Sequence, residues 1–160
     1  MLALRRPRAS DVGRVSDTVG RPVMLATLGV PFAPEAAHFA VDSALETGQP
    51  LLLVNVVEMI LAPYALVFGT SWELEDEADA EALAAPARLA ASLGVRVERL
   101  RVCSPHPIDA LVQVVGEHAP GLLVFGPDPA RLRPRRYRRA ARAVRERCPC
   151  LVWLPDEPRP

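Results

Sequence analysis

The apolar positions of this chain fall into two alternating patterns, short unbroken runs and longer helically spaced stripes. Val23-Met24-Leu25-Ala26-Thr27-Leu28 is the first run, and it stops at Gly29. Leu51-Leu52-Leu53-Val54-Asn55-Val56-Val57 is the second, Leu122-Leu123-Val124-Phe125 a later one, and Cys150-Leu151-Val152-Trp153-Leu154 the last. Unbroken rather than alternating hydrophobicity marks strands covered on both faces, as in parallel sheets. Residues 95–102 are also β-prone, but Arg96, Glu98, Arg99 and Arg101 interrupt them, which suits an edge strand.

Helical spacing fills the intervals. Pro34 suits a first helical turn, and Ala36, Phe39, Ala40 and Ala44 follow at helical spacing to about Glu46. An Ala-rich stretch at 75–93 ends before Gly94. Pro107 opens a helix in which Ile108, Leu111, Val112 and Val115 form a clear apolar stripe. Over 134–147, Tyr137, Ala140, Ala141 and Val144 share one face of an otherwise Arg-rich helix. The order is β-α-β-α-β-α-β-α-β. Such alternation predicts a doubly wound α/β fold, a five-stranded parallel sheet with helices on both faces and right-handed crossovers. Ligands of such sheets sit beyond the carboxyl ends of the strands, so the loops after the first and fourth strands are the places to examine.

At 160 residues the chain is long enough for one domain with its own core. Residues 1–21 carry scattered Arg without apolar periodicity and are expected to form a flexible arm; residues 22–155 form the domain, and 156–160 a tail. The nineteen cationic residues are all Arg and balance nineteen acidic ones, so overall charge points to no polyanionic partner. No run reaches the length of a membrane span, and the N-terminus lacks a secretory apolar core. The three Cys are too few for a disulfide framework. A reducing cytoplasm is the expected location.

Gly29 and Gly126 end strands one and four, and together with Leu51–Glu58, Pro105–Ile108 and Cys148–Trp153, taken in order, they resemble the universal stress protein family over residues 22–155. Leu51 through Val57-Glu58 is similar to the family's second strand, Pro105-His106-Pro107-Ile108 stands at its Gly-x-Pro turn, and Cys148-Pro149-Cys150-Leu151-Val152-Trp153 is similar to its last-strand approach. The resemblance implies strand order 3-2-1-4-5, an adenine nucleotide alpha hydrolase-like arrangement, and a homodimer paired through the final strand.

It also implies a nucleotide cleft built from Leu28, Gly29, Val30, Val57, Gly126, Pro127, Arg131 and Arg133, and here the chain departs from the family. Nucleotide-binding members have an Asp after strand one, where this chain has Leu28. Their G-x2-G-x9-G-[ST] run begins here at Gly126 but meets Pro129, Arg139 and Ala140 at its other three positions. Proline supplies no N–H, and a residue with a Cβ resists the positive φ that glycine allows. ATP is therefore not expected in the usual family mode. The implied function is a non-enzymatic, dimeric module acting by protein contact or weak ligand binding. The alternative is a divergent ATP- or AMP-binding site that uses Arg side chains.

Nine Arg lie between Arg131 and Arg147. They read as a solvated helix face, or as an anion site with contacts at Arg131, Arg133 and Arg135. Nucleic acid is not expected, since few aromatic residues interleave with the basic ones and no recognition motif is present. The acidic residues Glu73, Glu75, Asp76, Glu77, Asp79 and Glu81 read as a helix start, or as a partner for that basic helix. Residues 59–68 are apolar enough for a short packed element, a lid over the cleft or a dimer contact; Trp153 invites the same reading. Cys148-Pro149-Cys150 lacks Cys-x-x-Cys spacing and reads as buried thiols. No motif places an acid or nucleophile beside His38, His106 or His118, and of the three His106 alone stands at a loop expected to border a ligand cleft.

Overall fold

Two layers of helix enclose a parallel sheet whose strand order is set by a single reversal of direction. The computed structural model describes residues 20–59 and 77–155. All but the last two residues of the N-terminal arm, residues 60–68 of the apolar segment, the acidic residues before Glu77 and the 156–160 tail lie outside the described residues. The elements are β1 (Val23–Thr27), α1 (Pro34–Thr47), β2 (Leu51–Glu58), α2 (Glu77–Ser92), β3 (Val97–Ser104), α3 (Pro107–His118), β4 (Leu122–Phe125), α4 (Pro134–Arg147) and β5 (Leu151–Trp153). Every expected strand and helix is present, with boundaries moved by one or two residues. The sheet runs β3-β2-β1-β4-β5, and each neighbouring pair is parallel.

The unbroken apolar runs fall where both faces of the sheet are covered. Side chains alternate across a strand, so Met24, Ala26, Leu52, Val54, Val56, Leu123 and Phe125 pack with Leu111, Val114 and Val115 of α3 and with Tyr137, Ala140, Ala141 and Val144 of α4. Val23, Leu25, Leu51, Leu53 and Val124 face the opposite way, onto Ala36, Ala40, Val41 and Ala44 of α1 and Leu83, Ala87 and Ala90 of α2. β3 is the outer strand next to β2, and its Glu98 and Arg99 are exposed. A fully buried Leu, Val or Phe contributes about 1.5–3 kcal/mol, so these two layers outweigh the weak local preferences of the Ala-rich helices.

One side chain departs from its expected place. The spacing puts Phe39 on the buried stripe of α1, yet it is 37% exposed, because that stripe is narrow and made of small residues. Phe39 instead stacks on Trp153 of β5, with ring centroids 4.6 Å apart. This joins α1 to the last strand across β4.

The three cysteines are free, with Cys103 exposed, Cys150 half-buried and Cys148 buried. Burial pushes the Cys148 thiol up to about 11 from an ordinary 9.0. A thiol neutral in the fold but ionised in the unfolded chain stabilises less as pH rises, so its contribution holds below pH 9 and is lost between about 9 and 11. At pH 8, iodoacetamide should label Cys103 quickly and leave Cys148 intact in the folded protein; equal rates by mass spectrometry would contradict this placement.

Candidate functional site

The β1–α1 and β4–α4 loops lie side by side, because β1 and β4 are neighbours whose chains leave toward opposite faces. This is the reversal point where doubly wound sheets form clefts. The two loops are tied by backbone bonds: Ala33 N–H donates to the Gly126 carbonyl at 2.9 Å, and Asp128 N–H to the Pro31 carbonyl at 2.8 Å. Phe32 and Pro127 form an antiparallel bridge between them.

Beyond these loops opens a cleft of about 1070 Å³. Its floor is Leu28, Gly29, Val30, Val57 and Glu58, and one wall is the turn Pro105-His106-Pro107 with Ile108 and Asp109 at the start of α3. The other wall is cationic: Arg131, Arg133, Arg135, Arg136, Arg139 and Arg147. Of the residues expected at the cleft from sequence, Leu28, Gly29, Val30, Val57, Arg131 and Arg133 line it, and so does His106. Gly126 and Pro127 do not; both are buried behind it, against α1 and the β1–α1 loop. His38 and His118 are occupied locally, each Nδ1 bonding a carbonyl one turn back in its own helix.

A single side chain shapes the floor. Asn55 on β2 is fully buried, and its Oδ1 accepts the Gly29 N–H at 2.9 Å. Gly29 sits at φ +68°, a conformation that favours glycine, and Thr27 Oγ1 donates to the Val30 carbonyl across the same turn. Among the described residues, Nδ2 of Asn55 has no hydrogen-bond partner. Asn55→Ala should cost about 1–2 kcal/mol, since the lost bond is partly offset by removal of that orphaned donor. Chemical denaturation measures it; an unchanged midpoint would show that the turn holds without Asn55.

The β4–α4 loop is closed by its own carboxylate. Asp128 Oδ1 accepts the Ala130 N–H at 2.9 Å, while its carbonyl accepts those of Arg131 at 3.0 Å and Leu132 at 3.1 Å. These amides are those a phosphate-holding loop would present, and here they are spent on a turn. Sequence reasoning weighed the prolines and passed over Asp128, although Asp between prolines is a turn signal. It also passed over Arg136, Arg147, Glu58 and Asp109. The first two share with Arg139 the face of α4 turned toward α3, visible only once the two helices are placed.

The charges of the wall are unevenly matched. Arg136 pairs with Glu58 at 2.9 Å, and Arg147 with Asp109 at 2.6 Å. The hydrogen bond and charge of Arg147 hold Asp109 below the usual carboxylate range, with His106 and Arg139 acting in the same direction. Among the described residues, Arg131, Arg133, Arg135 and Arg139 have no carboxylate within ion-pair distance. Arg133 is the N-cap of α4, whose first turn contains no acidic residue. Among the described residues no group of three His, Cys, Asp or Glu could hold a metal ion, and no helix is long and apolar enough to cross a membrane.

Comparison with known proteins agrees with this architecture. The family described as the universal stress protein family matches residues 20–154. A search of curated proteins finds no match. Among solved structures, the universal stress protein of Archaeoglobus fulgidus in complex with dAMP is 18% identical, with a TM-score of 0.62 over 85% of this chain and 98% of that one. The Lactobacillus plantarum protein is also 18% identical, with a TM-score of 0.59 over 84% and 98%. An Arabidopsis thaliana family protein with AMP bound is 15% identical, with a TM-score of 0.53 over 83% and 90%. At these identities the likeness is one of fold.

Proposed function

The chain belongs to the universal stress protein family, and on that premise we propose that it is a non-catalytic module that binds a phosphorylated small ligand through arginine side chains. The observation that carries this reading is that Arg131, Arg133 and Arg135 line the cleft with no carboxylate partner among the described residues. Guanidinium forks bond phosphate oxygens in pairs, so they can stand in for a glycine-rich backbone cradle. The usual cradle is closed by Asp128, which supports a departure from the family's common mode.

The electrostatics favour the same reading. Cations beside a helix N-terminus oppose its dipole, each by about 0.3–1 kcal/mol, and α4 has Arg133, Arg135 and Arg136 there without an acid. An anion seated among them relieves that repulsion. The proposed ligand class is an adenine nucleotide, AMP or ATP, since two structural neighbours carry dAMP and AMP. The module is read as non-catalytic because the two carboxylates that line the cleft among the described residues, Glu58 and Asp109, are each paired with an arginine. A cytoplasmic homodimer along β5 belongs to the same proposal: β5 is an outer strand, and its Leu151 is 75% exposed. A monomer by light scattering would remove that part.

Thermal-shift titration with AMP and with ATP tests the binding. At a hundredfold excess over Kd, the midpoint should rise by about 5–11 °C. The shift should shrink as salt rises, because screening shortens from about 10 Å at 0.1 M to about 3 Å at 1 M. No saturable shift with either nucleotide at low salt would overturn the proposal.

A further inference from the structure

Arg139 and Arg147 leave part of the cleft unexplained by a single phosphate site at the start of α4. Both line the cleft from the face of α4 turned to α3, and His106 and Asp109 stand opposite them. We propose that this end of the cleft is a second anion subsite, so that the ligand carries two phosphate groups set apart instead of one linear chain. This rests on the reading of the cleft as a phosphate-binding site.

Three cationic or potentially cationic groups surround one carboxylate here. Arg147 bonds Asp109 at 2.6 Å, and His106 and Arg139 also act on it electrostatically. The Arg147–Asp109 pair is open to solvent, with side chains 48% and 63% exposed. Exposed pairs are weakly held, so a phosphate, with more charge and more acceptor oxygens, can displace Asp109 and take both guanidiniums. Asp109 is thus an internal occupant that offsets part of the subsite's positive charge until a ligand arrives.

The spacing matches two phosphates on one small molecule. Arg135, in the first subsite, and Arg139, in the second, are one helical turn apart, about 6 Å along the axis. Two phosphates on opposite sides of one sugar ring can meet both, whereas the phosphates of a linear chain all extend from one oxygen of the sugar. Extended nucleic acid fits less well, because among the described residues no Phe, Tyr or Trp lines the cleft to receive a run of bases.

Adenosine 3′,5′-bisphosphate, ATP and AMP, compared by calorimetry on the full chain, provide the test. The bisphosphate should bind at least about tenfold more tightly than AMP and more tightly than ATP. In R139A/R147A that advantage over AMP should fall to within about threefold, and D109N should raise bisphosphate affinity by removing the competing carboxylate. D109N works against any explanation by misfolding, since it predicts a gain. Equal binding of bisphosphate and AMP, an advantage that survives R139A/R147A, or weaker bisphosphate binding in D109N would each overturn the second subsite while leaving the first. Failure of all three ligands to bind would overturn both readings.

Discussion

Gly126→Ala is expected to destabilise the protein by about 1–3 kcal/mol, and Gly126→Val by more, with no direct loss of ligand contact. A Cβ built at this position would lie 2.2 Å from the Ala36 Cβ and 3.4 Å from Leu25 Cδ1. Ala36 is fully buried on α1, and a methyl group on a helix has no rotamer by which to withdraw. The backbone cannot yield easily either. Gly126 N–H donates to the Ala26 carbonyl at 3.0 Å, and its own carbonyl accepts the Ala33 N–H at 2.9 Å. The added carbon therefore pushes α1 off the sheet or breaks one of these bonds. Ala36→Gly should rescue Gly126→Ala, after subtraction of the roughly 1 kcal/mol that glycine costs inside a helix. If Gly126→Ala instead kept its denaturation midpoint and lost nucleotide affinity, the residue would be a ligand contact and the packing account would be wrong.

The second large effect is expected in binding. A hydrogen bond to a charged group contributes about 1.5–3 kcal/mol, and Arg131 and Arg133 are both exposed, which lowers that figure by solvent screening. Arg131→Ala/Arg133→Ala should therefore weaken nucleotide binding by about 2–4 kcal/mol, or roughly 30- to 1000-fold. Stability should move the other way or stay constant, since two cations leave the positive end of α4. This opposition separates a ligand site from a merely structural basic patch. Loss of both affinity and midpoint would place these arginines in the scaffold, and retention of affinity would remove them from the site. Arg136→Ala makes a useful contrast, because it breaks the pair with Glu58 and strips that carboxylate of its partner.

Gly126 shows how a residue type can be legible while its reason is not. Its place after β4 marks it as the first glycine of a phosphate-binding run, and the structure gives it a packing reason, the close approach of Ala36. The converse holds for Arg139, which stands where that run would have its third glycine. A sequence count scores it as a loss, yet its position on α4 points it into the cleft. Phe39 differs again: period alone assigned it to the core, and the small residues beside it leave it to stack on Trp153.

By itself the sequence determined the order of strands and helices, the two-sided burial of β1 and β2 and the exposed edge of β3. Those follow from the period and continuity of apolar positions, which are local properties of a chain. Tertiary structure alone decided which arginines of α4 face the cleft, that Glu58 and Asp109 neutralise two of them, and that Asp128 closes the loop amides. Each of these depends on distances between residues far apart in the chain or on the path of a single turn. Charge interactions at the surface are screened beyond about 10 Å at 0.1 M salt, so the character of this cleft was set only when α3, α4 and the ends of β1 and β2 came together.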